Sequence, residues 1–66
     1  MKNLRLLELR TRRGKTQIQT SRDLGITPEY YGKIELNKLK PSFKLAIRMA
    51  DYFETTVDDL FCSKNV

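Results

Sequence analysis

The side chains of this chain that are best suited to chemistry lie between positions 16 and 40, and that chemistry is recognition rather than catalysis. Lys33 can donate to O6 and N7 of a guanine, Glu29 can accept from the N4 amine of a cytosine, and the Gln17 amide can both donate and accept. Glu29, Tyr30 and Lys33 fall on the side of one predicted helix opposite Tyr31 and Ile34, so they would face outward together. Lys38 and Lys40 follow in a short basic loop of the kind that contacts phosphate. Pro28 has no hydrogen-bonding side chain; it either meets a thymine methyl or shapes the helix start. Of the paired tyrosines, Tyr31 is expected in the core and Tyr30 towards a nucleic-acid backbone. The competing account is a solvated face, with Glu29 serving only as negative charge at a helix start.

Other chemistries are poorly served. The chain has no histidine and a single cysteine, Cys62, so it offers no metal-ligand set and no internal disulfide. No serine or cysteine has a base partner in view, and no glycine-rich loop cradles phosphate, so no enzyme, cofactor or small-molecule ligand is expected. Cys62 is expected to be a partly buried small hydrophobe near a dimer interface, with a redox role as the alternative. Thirteen Lys and Arg against eight Asp and Glu give a formal charge of +5, which favours a polyanionic partner. Arg5, Arg10, Arg12, Arg13 and Lys15 crowd the first helix and its exit. Asp51, Glu54, Asp58 and Asp59 collect near the other end, so one end is expected to meet phosphate.

The elements that position these groups are short helices cut by clear breakers. Leu6 and Leu9 mark a first helix over about 3–13, which Gly14 ends as a left-handed cap. Thr16 caps a second helix over 16–24, with Ile18 or Ser21 and Leu24 facing inward, and Gly25 stops it. Thr27-Pro28-Glu29 is the strongest start signal and opens a helix over 28–36. Asn37 is expected in a left-handed conformation. Pro41-Ser42 restarts a helix over 42–54 with apolar Phe43, Ala46, Ile47, Met49, Ala50 and Phe53. Thr56 caps a last helix over 56–62, and residues 63–66 form a frayed tail. The expected fold is all-α, a single five-helix domain over 1–62.

Between Thr16 and Glu35 the pattern is helix, tight turn, helix, with Leu24, Ile26 and Tyr31 packing the two together. That is the geometry of a helix-turn-helix, whose second helix enters the major groove. Leu6, Leu9-Arg10, Gly14, Thr16-Gln17, Leu24-Gly25-Ile26-Thr27, Ile34-Glu35, Pro41-Ser42, Ala50 and Val57-Asp58-Asp59-Leu60-Phe61 together resemble the Xre/Cro type of helix-turn-helix regulators, similar to the phage lambda-like repressors. The resemblance covers nearly the whole chain without gaps. It implies a compact lambda-repressor-like domain that binds double-stranded operator DNA as a symmetric homodimer and switches transcription. It places Gln17 at the DNA, where Thr16, Thr27 and Pro28 are also expected beside Glu29, Tyr30, Lys33, Lys38 and Lys40. It also implies an internal ion pair between Arg10 and Glu35. The chain departs from the usual pattern at Thr20, Ser21, Lys15 and Asn37.

A domain of 66 residues has a marginal core, which makes oligomerisation a natural source of stability. Dimer contacts are expected from Val57, Leu60, Phe61 and Phe53. No apolar run exceeds three residues, so no membrane segment is expected, and the free thiol fits a reducing cytoplasm. The chain ends soon after Phe61, so no attached sensing domain is expected. The second functional reading is a protein-binding module on the same fold, such as an antitoxin. Its sign would be an apolar third helix, and Glu29 and Lys33 argue against it.

Overall fold

Five helices form, and each begins on a side chain that caps it. The computed structural model describes residues 1–62; the expected frayed tail, 63–66, lies outside them. The helices are α1 (Leu4–Arg12), α2 (Gln17–Leu24), α3 (Pro28–Glu35), α4 (Phe43–Tyr52) and α5 (Val57–Phe61). No strand occurs among the described residues, and the fold is all-α. The side chains of Asn3, Thr16, Thr27, Ser42 and Thr56 accept from the backbone N–H of Leu6, Gln19, Tyr30, Leu45 and Asp59, respectively. Each bond satisfies a donor that the helix itself leaves open. The helices are shorter than their expected spans mainly because the capping residues at both ends stand outside them.

The first four helices end in the same way. Each chain exit passes through a left-handed residue: Gly14 (φ 69), Gly25 (φ 75), Asn37 (φ 62) and Glu54 (φ 57). At each one, the left-handed residue and its successor donate back to the last turn, as when Asn37 donates to the Ile34 carbonyl and Lys38 to that of Lys33. This paired closure tolerates glycine best and asparagine next. Glu54 is the costly choice, because a side chain with a Cβ crowds its own carbonyl there. Glu54→Gly is expected to stabilise the domain by about 0.5–1 kcal/mol, raising Tm by a few degrees. A calorimetric scan checks it. The change also removes the Arg13–Glu54 ion pair, but at 3.9 Å and on the surface that pair holds little.

The core gathers one stripe from every helix: Leu6 and Leu9, Leu24, Tyr31 and Ile34, Leu45, Met49, Ala50 and Phe53, and Leu60. Thr20 and Ser21, which depart from the usual leucine and alanine, are fully buried beside them. That decides the inward face of α2: Ser21 and Leu24 point in, and Ile18 is 51% exposed. Phe43 and Ile47, expected inside, are 76% and 41% exposed. They lie one turn apart on the rim of the apolar stripe of α4, whose centre is taken by Leu45, Ala46, Met49 and Phe53. Asn3 stitches the start of the chain to the end of α3 and to α5. Its N–H donates to the Glu35 carbonyl (2.8 Å) and its side-chain amide to that of Leu60 (2.9 Å).

Two dimer expectations need correction. Phe53 and Leu60 are core residues, 5% and 2% exposed, with almost no surface to offer a partner. Val57 and Phe61 are half-buried and keep part of their surface outside. Cys62, expected to be partly buried, is exposed.

Candidate nucleic-acid interface

α2 and α3 are joined by three residues, 25–27, and locked from both sides. Gly25 turns the chain, Ile26 donates back to the Ser21 carbonyl, and Thr27 caps α3 with Pro28 at its first position. Tyr31, Ile34 and Glu35 form the buried stripe of α3. The opposite side carries Glu29, Lys33 and Leu36, all exposed.

The buried carboxylate of Glu35 organises this region. Arg10 Nε reaches its Oε2 at 2.7 Å and Arg10 Nη2 its Oε1 at 3.1 Å. Gln17 Nε2 donates to Oε1 at 2.8 Å and the Tyr31 hydroxyl to Oε2 at 2.8 Å. The Arg10 guanidinium also donates to the Lys15 carbonyl at 2.8 Å. One carboxylate therefore holds α1, the start of α2 and α3 in a fixed relation. Burial pushes the Glu35 carboxyl up, but the hydrogen bonds from Arg10, Gln17 and Tyr31 outweigh it and hold it below the ordinary range. Burial, and then the Glu35 carboxylate, push the Tyr31 hydroxyl far up, so it stays a donor at any physiological pH.

Apart from Pro28, the exposed first residue of α3, the residues expected at DNA divide into three groups. Glu29, Lys33, Lys38 and Lys40 are exposed and make no ion pair with one another or with the rest of the described residues. Thr16, Thr27 and Gln17 combine a surface position with a structural duty. The threonine oxygens accept cap hydrogen bonds and keep a hydroxyl proton to donate, and Gln17 has one of its amide hydrogens on Glu35. Tyr30 is a correction. Its ring packs against the core instead of standing on the outer face, because position 30 borders the buried stripe one turn before Ile34.

The distribution of free charge also differs from expectation. The basic residues of the first helix and its exit are answered by acids, two of them from the far end of the chain. Arg5 pairs with Asp59 and Glu8, Arg12 with Glu8, Arg13 with Glu54 and Lys15 with Asp23. Folding brings Asp59 onto α1 and Glu54 beside its exit. The cations without an ion pair among the described residues include Lys33, Lys38, Lys40 and Lys44, along and after α3.

A family model described as helix-turn-helix matches residues 6–60, which is most of the chain. The chain belongs to the helix-turn-helix family, of the Xre/Cro, lambda-repressor-like type. A protein of Archaeoglobus fulgidus described as an uncharacterized HTH-type transcriptional regulator is 33% identical over 57 residues, covering 86% of this chain and 81% of that protein. No solved structure matches the chain at a significant level. Within the helix-turn-helix, α2 is the first helix and α3 the second, the position that the recognition helix takes in this motif.

Three further residues of the helix-turn-helix surface are hard to pick out from the sequence. Leu36 follows Glu29 by two helical turns on the outer face, so its position is legible but its apolar type hides it. Gly32 flanks that face beside Gln17, and Lys2 comes alongside both only through the fold.

Proposed function

We propose that this protein is a sequence-specific regulator of transcription that binds double-stranded DNA as a homodimer on a palindromic operator and represses by occupying it. The observation that carries this reading is the outer face of α3. It presents an unpaired acceptor, Glu29, and an unpaired donor, Lys33, on a helix whose angle to α2 is held by the Glu35 cluster. Lys33 reads guanine, Glu29 reads cytosine, and Leu36 meets a thymine methyl. Lys38 and Lys40 set the register on phosphates, with Thr16, Gln17 and Thr27 at the two helix starts. The Archaeoglobus relative, described as a transcriptional regulator, supports the same reading. The partner copy docks along Val57 and Phe61 and the exposed rim of α4 at Phe43 and Ile47. Two-fold symmetry sets the half-sites about 34 Å apart, one helical turn.

The test is selection of bound duplexes from a random pool, followed by salt titration of the selected sequence. A palindromic consensus whose affinity falls steeply with salt is the expected result. Replacing Lys38 and Lys40 together with alanine is expected to lower affinity on all sequences alike and to reduce the salt slope by about 2. A non-palindromic site would remove the symmetric dimer. Enrichment of no sequence at all would remove the operator reading and favour a protein partner.

A further inference from the structure

Gly32 sits inside α3, where glycine weakens a helix relative to alanine. Its backbone does not require it: Gly32 is absent from the residues of positive φ. Packing does not require it either. A Cβ built there meets only the Oε1 of Gln17, at 3.6 Å, an ordinary contact. The glycine lines a groove of about 200 Å³ bounded by Lys2, Leu7, Gln17 and Leu36, with the Arg10–Glu35 pair at its base. That pair neutralises itself, so the groove's open charge is Lys2, which makes no ion pair among the described residues.

On these grounds we propose that the groove seats the sugar–phosphate backbone of one DNA strand against the bare helix at Gly32. Lys2 meets the phosphate, and the apolar walls at Leu7 and Leu36 receive the deoxyribose. Glycine is present because a side chain at position 32 would lift the strand off α3. The groove lies on the flank of the recognition helix nearest α2, so a strand held there leaves Glu29 and Lys33 facing the base edges. This placement rests on the reading of the chain as a duplex DNA reader.

The experiment uses the full chain and the duplex selected with it. Gly32→Ala is expected to raise Tm, because the helix gains and nothing clashes, and to weaken binding roughly tenfold, because the methyl holds the strand away from the helix. Lys2→Ala is expected to leave Tm unchanged and to lower the salt slope by about 1. If Gly32→Ala is more stable and binds as tightly as the parent, the groove takes no strand and the proposal is overturned. A lower Tm for Gly32→Ala also overturns it, since packing would then explain the glycine. If the parent binds no duplex, the operator reading itself fails and this inference falls with it.

Discussion

Replacing Arg10 with methionine is expected to destabilise the domain by about 3–5 kcal/mol, most of what a protein of this size has. The Arg10 and Glu35 side chains are 12% and 6% exposed, and the guanidinium bonds both carboxylate oxygens and the Lys15 carbonyl. Methionine keeps the packing of the stem but leaves Glu35 charged, buried and held only by Gln17 and Tyr31. Urea denaturation measures the loss. The pH dependence of stability separates this cause from simple misfit. In the parent, the native Glu35 carboxyl is held below its ordinary value, so its contribution is present above the unfolded pKa and lost as pH falls through the lower native one. In Arg10→Met, burial is no longer outweighed and the native carboxyl moves up. The variant should then regain part of its deficit on acidification, the opposite sign. A double change, Arg10→Met with Glu35→Leu, should recover much of the loss, because removing both charges leaves nothing unpaired. If Arg10→Met loses under about 1 kcal/mol, the pair behaves as a solvated surface contact and does not hold the helices together.

The second large effect concerns DNA. Lys33→Ala is expected to cost about 1–3 kcal/mol on the selected duplex, roughly 5- to 150-fold in Kd, and to relax the preference at one base pair. Its stability should hardly change, since Lys33 is exposed and forms no ion pair among the described residues. Glu29 gives a sharper test of the same face. A carboxylate only accepts and is repelled by phosphate, so it gains only where a base donates to it. Glu29→Gln should shift the preferred base from cytosine towards adenine, because an amide pairs with adenine N6 and N7. Glu29→Ala should bind unselected DNA more tightly and the operator with less discrimination. Binding to all four variants of each half-site position reads these outcomes. Loss of affinity spread evenly over every sequence would assign Lys33 to phosphate instead of guanine.

Much of this molecule is legible in its sequence. Local signals decide helix starts and stops, because a cap or a left-handed exit involves residues within one turn of each other. Thr16, Thr27 and Thr56 cap, and Gly14, Gly25 and Asn37 turn, for reasons contained in four or five consecutive residues. The same locality makes the outer face of α3 readable: Glu29 and Lys33 are one turn apart and opposite Tyr31 and Ile34, whatever the rest of the chain does. Periodicity is weaker at its edges. Tyr30 on α3, and Phe43 and Ile47 on α4, border the buried stripe, and only the neighbour across the gap decides which side of the line each falls on.

Charge is the least legible property, because ion pairs form between residues far apart in sequence. Arg5 and Asp59 are 54 residues apart and meet at 2.9 Å, and Lys15 reaches Asp23 along the length of α2. A crowd of arginines on α1 therefore reads as a phosphate surface in the sequence and as a neutralised flank in the structure. The burial of Phe53 and Leu60 and the convergence of Lys2, Gln17 and Gly32 on one groove have the same origin. Sequence alone determined which helices form, where the first three turn and that Glu29 and Lys33 point outward from α3. The tertiary structure alone decided which charges remain free and what surface lies beside that helix, because both depend on residues that only folding brings within reach of one another.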